Sequence, residues 1–114
     1  DHLHVNGLRN KFCEDDDSVT TSAKACLTPM LGGYTVMPVF SSGQTVLQAP
    51  DTYKALQSND LLYLAGGGLM AHPDGVGAGV KSLQEAWEAA LQGASLESHA
   101  ENHPALAKAM EKFA

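Results

Sequence analysis

Three short apolar runs rich in β-forming residues, Leu3–Val5, Thr35–Phe40 and Asp60–Ala65, recur 25 to 32 residues apart along the chain. Each is too short for a helix and reads as a buried strand. Helical patterns lie between and after them. Strands alternating with helices at this spacing predict parallel strands joined by crossover helices, because a parallel partner cannot be reached through a tight turn. The expected fold class is α/β, in the order β-α-β-α-β-α-α. A parallel sheet needs both faces covered, and three strands alone leave two edges bare. Residue 1 is Asp, set directly against the first strand. The expectation is therefore one partial domain over residues 1–114, completed by further chain.

The helices follow from periodicity and punctuation. The first is expected from about Ser18 to Leu27, behind the acidic cluster Glu14–Asp17, with Val19, Ala23, Cys26 and Leu27 as its apolar stripe. Pro29 and the Gly32–Gly33 pair end it. The second, short, is expected from about Asp51 to Gln57. The third runs from about Gly77 to Leu91, with Val80, Leu83, Ala86, Trp87, Ala90 and Leu91 on one face and Glu85 and Glu88 off it. A last helix starts near Pro104 and carries Leu106, Met110 and Phe113.

The chain has a net charge of −6, seven Lys and Arg against thirteen Asp and Glu, without a basic stripe. That argues against a nucleic-acid partner and an anionic membrane surface. No apolar run reaches the ~18–20 residues of a membrane helix. Cys13 and Cys26 form no CxxC and read as two free thiols, which fits a cytoplasmic location.

Polar residues and glycines collect at one place in each unit, the C-terminal end of the strand. After the first strand come His4, Asn6, Gly7 and Lys11; after the second, Ser41, Ser42, Gly43 and Gln44; after the third, Gly66, Gly67, Gly68 and His72. In parallel α/β folds that end binds ligands. The chemistry on offer is anion binding: unobstructed glycine amides, two hydroxyl donors and a loop lysine able to stabilise negative charge. Plainer readings stand beside this one. A triple glycine also makes a tight turn, a strand-end histidine also serves structure, and His72–Gly75 reads as a turn. His2 and His4 share a strand face, but no third metal ligand is evident near them. The Glu14–Asp17 run reads as a solvated helix start, with Mg2+ binding as the alternative.

Three stretches together carry a resemblance. "DHLHVNGLRNK" resembles the sixth strand and mobile sixth loop of the RuBisCO large-chain barrel, "VMPVFSSG" its seventh strand, and "AGGGLMAHPDG" its eighth strand and phosphate loop. Their order and spacing are similar over roughly Asp1 to Leu91. The resemblance implies the C-terminal part of a (β/α)8 barrel: three parallel strands with crossover helices, then C-terminal helices. It implies roles residue by residue. Lys11 matches the catalytic loop lysine that closes over substrate, His4 the histidine that contacts the distal phosphate, and Ser41 the serine that hydrogen-bonds substrate. Gly43, Gly66 and Gly67 match the amides that hold the other phosphate.

The departures are Ser42 in place of a glycine, Val5-Asn6-Gly7 in place of Ser-Gly-Thr, and Ala71 in place of a glycine. They make the chain more similar to a RuBisCO-like protein, and most to the branch acting on 3-oxo-isoapionate 4-phosphate, which includes decarboxylases and transcarboxylase/hydrolases. Ribulose-bisphosphate carboxylase, a methionine-salvage enolase-type protein and a non-catalytic phosphate-binding fragment remain alternatives. The resemblance further implies a Mg2+ cofactor whose ligands, a carbamylated lysine and two carboxylates, would precede Asp1. It implies as partners a phosphorylated sugar-acid substrate, the remainder of the barrel, and a homodimer or larger oligomer of the full-length protein.

Overall fold

The computed structural model describes all 114 residues. Strand β1 (His2–His4) leads through a long loop to α1 (Asp16–Leu27), then to β2 (Met37–Phe40). A 3-10 turn (Val46–Gln48) runs into α2 (Ala49–Leu56), followed by β3 (Leu62–Tyr63), α3 (Gly66–Met70), α4 (Val76–Gln92), α5 (Leu96–Ala100) and α6 (Pro104–Phe113). The sheet has the order β1-β2-β3 and is parallel throughout, with His4 opposite Val39 and Phe40 opposite Tyr63.

The strands are shorter than their apolar runs, and Pro38 gives one reason. The Met37 amide donates to Asp1 and the Val39 carbonyl accepts from Val5, so the odd positions of β2 face β1. Pro38 therefore faces β3, where it has no N–H to donate. Pairing with β3 starts only at Val39.

Local signals set the helix ends. Asp16 and Asp17 occupy the first turn of α1 and Lys24 the last, matching charge to the helix dipole. The Thr45 hydroxyl accepts from the Leu47 amide, and the Gln48 side chain reaches back to the Thr45 amide, a capping box ahead of Pro50 and α2. Gly93 adopts a left-handed conformation and stops α4. Ser95 caps α5 through the Ser98 amide.

Two apolar clusters flank the sheet region. Val5, Leu8, Val19, Ala23, Cys26, Phe40 and Leu56 form the first. Val46, Ala49, Ala86, Ala89, Leu96, Leu106 and Ala109 form the second. Tyr63 packs against both, with its ring edge-on to Trp87 at 5.4 Å between centroids. Both cysteines are free, Cys13 exposed and Cys26 buried. No helix is long and apolar enough to cross a membrane.

The expected α4 face is corrected in part. Val80 and Leu91 are exposed, while Glu85 is buried. The buried stripe is made of small residues, Gly79, Ser82, Ala86 and Ala89, because α4 is packed closely by α2, α3 and α6. Glu85 is accommodated because its carboxylate accepts the Leu106 amide in the first turn of α6, one of the donors a helix start leaves unpaired. Two further helices, α3 and α5, were not expected.

Candidate functional site

The β1 loop is shaped before any ligand is considered. Asn6 and Ser42 take positive φ angles, 61° and 72°, at the ends of their strands. There the Ser42 hydroxyl donates to Asn6 Oδ1 at 2.8 Å, and Asn6 Nδ2 donates to Glu14 Oε1 at 2.7 Å. Ser18 donates to the other Glu14 oxygen at 2.8 Å. These donors hold the Glu14 carboxyl below its ordinary range, the Asn6 bond first and the Ser18 bond second. The chain Ser42–Asn6–Glu14–Ser18 thus ties the β2 loop, the β1 loop and the start of α1 together. Asn10 adds a buried brace, its amide donating to the Gly7 and Glu14 carbonyls.

Lys11 lies on this braced loop. Its backbone amide donates to the Ser42 carbonyl at 3.0 Å, which fixes the loop against the turn after β2. Its side chain is exposed, makes no ion pair, and rests with Nζ 5.3 Å from the centroid of the Phe12 ring. A cation held only by an aromatic face is weakly restrained and free to meet an anion.

Lys11 faces a cleft of about 530 Å3 lined also by Ser41, Ser42, Gly43, Gln44, Thr45, Leu64, Gly66, Gly67, Gly68 and Phe113. Five of the six expected site residues, Lys11, Ser41, Gly43, Gly66 and Gly67, therefore share one wall system. His4 does not line the cleft; it sits on β1 with Nδ1 3.3 Å from Ser41 Oγ and reaches the cleft through that hydroxyl.

The triple glycine opens α3 rather than forming a simple turn. The amides of Gly66–Gly68, in the first turn, have no acceptor within the helix. The three glycines are not equivalent. A Cβ on Gly68 would come within 2.5 Å of the Gln44 carbonyl, whereas one on Gly66 or Gly67 would meet nothing. Gly68 is thus required for α3 to seat on the β2 loop, and the bare faces of Gly66 and Gly67 leave room beside the cleft.

Several neighbours serve the framework. Gln44 is buried, and its amide donates to the Leu8 carbonyl at 3.1 Å. The Tyr63 phenol donates to the Thr45 carbonyl at 2.7 Å, and burial pushes its pKa up, so it remains a donor. His72 is structural: Nδ1 accepts the Asp74 amide, so the proton is on Nε2, which donates to the Ala105 carbonyl. This is the turn expected at His72–Gly75, with its histidine pinning α6. Thr45, Leu64 and Phe113 join the lining though none of them stood among the residues expected at the strand ends. The glycine run already pointed to Gly68, whereas nothing local marks Phe113, placed there only by the packing of α6.

The donor set consists of an ammonium, hydroxyls and backbone amides. No carboxylate lines the cleft. It suits an anion and does not fit Mg2+, which takes oxygen ligands with at least one or two carboxylates. His2 and His4 are both exposed and gather no third ligand.

A similar sequence and the same fold recur in known proteins. The catalytic-domain profile of the ribulose bisphosphate carboxylase large chain matches residues 1–113. A 3-oxo-isoapionate-4-phosphate transcarboxylase/hydrolase from Xanthobacter autotrophicus is 54% identical over 112 residues, covering 96% of this chain and 27% of the relative. A 3-oxo-isoapionate-4-phosphate decarboxylase from Rhizobium etli is 45% identical over 115 residues, covering 99% and 28%. The crystal structure of a rubisco-like protein from Burkholderia fungorum superposes with a TM-score of 0.96 at 44% identity, over 99% of this chain and 28% of that one. The chain thus spans little more than a quarter of the length of these relatives. With its three parallel strands, its strand-end cleft and these matches along nearly its whole length, the chain belongs to the ribulose bisphosphate carboxylase large-chain family.

Proposed function

We propose that this chain supplies the anion-holding and loop-lysine part of the active site of a RuBisCO-like enzyme, a carboxy-lyase or transcarboxylase. Its substrate is a phosphorylated sugar acid of the 3-oxo-isoapionate 4-phosphate type. The observation that carries the reading is the cleft itself, in which Lys11, Ser41, Gly43 and the start of α3 meet without a single carboxylate.

Such a substrate has two anionic ends. The amides of Gly43, Gly66 and Gly67 hold the phosphate, where a helix start and open backbone favour negative charge. Ser41, steadied by His4, hydrogen-bonds the sugar-acid chain. Lys11 swings from Phe12 to the carboxylate end. When the bond to the carboxylate carbon breaks, its electron pair moves to the adjacent carbonyl as an enolate and CO2 leaves. The Lys11 ammonium stabilises that developing charge. In a transcarboxylase the same bond breaks and a nucleophilic atom of the acceptor forms the new bond to the carboxyl carbon; in both reactions the enolate takes up a proton to give the ketone. Mg2+, in this proposal, is held by residues outside 1–114, and the full-length protein works as a homodimer or larger oligomer.

The test uses the full-length protein with 3-oxo-isoapionate 4-phosphate, following loss of the carboxyl group and, separately, ligand binding. Lys11→Met is expected to lower kcat by roughly 10²–10³ while phosphate-ester binding changes little. Gly66→Ala fits the fold, since its Cβ meets nothing, and is expected to weaken phosphate binding by crowding the cleft. Full turnover by Lys11→Met would overturn the assignment of the lysine. Unchanged binding by Gly66→Ala would overturn that of the phosphate subsite.

A further inference from the structure

Outside the cleft, Glu88 on α4, His99 on α5 and His103 just ahead of α6 bring one potential ligand atom each within 4.8 Å of one another. The two imidazoles stack, with ring centroids 4.0 Å apart and planes at 9°. His99 is nine-tenths buried, and its Nε2 lies 3.7 Å from Glu88 Oε2. That is too long for a hydrogen bond. This Nε2 is the one buried side-chain polar atom left without a partner. Such an orphan is costly and points to something that binds there.

His103 is prepared in a complementary way. Its Nδ1 contacts the His99 backbone carbonyl, which can only accept, so Nδ1 carries the proton. The neutral ring therefore presents a lone pair at Nε2. A histidine whose second nitrogen donates to a backbone carbonyl is the usual form of a metal ligand, because that bond fixes tautomer and orientation.

We propose that Glu88, His99 and His103 form a binding site for a divalent transition-metal ion of the zinc class. Two imidazoles and a carboxylate suit Zn2+, Ni2+ or Cu2+ and suit Mg2+ poorly. Tetrahedral bonds of ~2.0–2.1 Å place ligand atoms roughly 3.3 Å apart, so Glu88 and the His99 ring rotate toward the lone pair that His103 presents, and the stack of the two rings opens. Glu88 is half exposed and free to move inward. Bound metal joins α4, α5 and the start of α6, three elements that also share the second apolar cluster and the Glu85 cap. The site is independent of the substrate cleft and of the proposed reaction.

The experiment is calorimetric titration of the full-length protein with Zn2+ in excess Mg2+, paired with visible spectra of the Co2+ form. One ion per chain is expected at this site, with Co2+ bands of four-coordinate intensity and a raised Tm. Binding should weaken at least tenfold in His103→Gln and Glu88→Gln, and His2→Gln should leave it unchanged. Glu88→Gln, at an exposed position, keeps the test open should the histidine variants fold poorly. Absence of Zn2+ binding, or binding unaltered in both His103→Gln and Glu88→Gln, overturns the proposal.

Discussion

Asn6 has both ends of its amide engaged, the oxygen by Ser42 and the nitrogen by Glu14, while its backbone holds φ at 61°. Asparagine tolerates this left-handed region better than most residues. Asn6→Ala is therefore expected to cost about 2–3 kcal/mol, from two lost hydrogen bonds and from backbone strain. Asn6→Gly loses the same bonds without the strain and should be about 1 kcal/mol milder. Urea unfolding of the two variants checks the order, and equal losses would show that φ contributes nothing. The same contacts govern titration at this position. Glu14 is held below its ordinary value of 4.5, so its contribution to stability is present above that pH and is lost as pH falls through the lowered folded value. Asp74, held low mainly by its bond from Lys108, acts in the same direction. Carbon-detected NMR titration should place the Glu14 midpoint below 4.5 and return it toward that value in Asn6→Ala. A wild-type midpoint at or above 4.5 contradicts the bonding described.

At the scale of elements, α3 and α4 are joined through a close approach that couples packing to the cleft. A Cβ on Gly79 would lie 2.2 Å from the Leu69 carbonyl, backbone that cannot rotate aside. Gly79→Ala should push α3 off α4, cost about 1–3 kcal/mol, and weaken phosphate binding from a position that does not line the cleft. Unchanged binding with a full stability loss would show that α3 is not coupled to its neighbour. The Glu85 cap on α6 has its own signature. Glu85→Ala leaves the Leu106 amide unpaired and should cost about 2–3 kcal/mol, whereas Glu85→Gln keeps an acceptor and should cost roughly 1. Thermal melts of the pair decide it, and the two being equal would rule the cap out. These elements also show where sequence was a good guide. The strand centres, α1, α2 and the start of α6 carry β-rich runs, acidic first turns and prolines, and the structure follows them. Helix α3 carries three glycines, the least favourable common helix formers after proline, and is set by tertiary contact at Gly68. Glu85 was misplaced because large residues outweigh small ones in a periodicity, while close helix packing selects the small ones. The cleft was legible as a place, since strand ends collect polar groups in parallel folds: five of the six expected residues line it, and His4 does not. The Asn6–Ser42 bond spans 36 positions and has no local signature.

For the molecule as a whole, the sheet is the least protected part. β1 is exposed along its length, and Leu3, Leu62 and Leu64 lie open to solvent, although parallel strands are ordinarily covered on both faces. Val80 and Leu91 add apolar surface on α4. The remaining strands and helices of the proposed barrel would cover these residues and pair both edges. Two consequences separate this view from one in which the segment is self-sufficient. Residues 1–114 expressed alone should bind a hydrophobic dye and self-associate through β1 and β3, with fast amide exchange at both edge strands. Supplied with the preceding part of the barrel, the same segment should lose dye binding, gain protection at His2–His4 and Leu62–Tyr63, and acquire turnover that neither piece has separately. A monomeric isolated segment with slowly exchanging β1 amides and no dye binding would mean that the exposed leucines are tolerated as surface. The cleft between Lys11 and α3 would then be a finished site rather than one wall of a larger one.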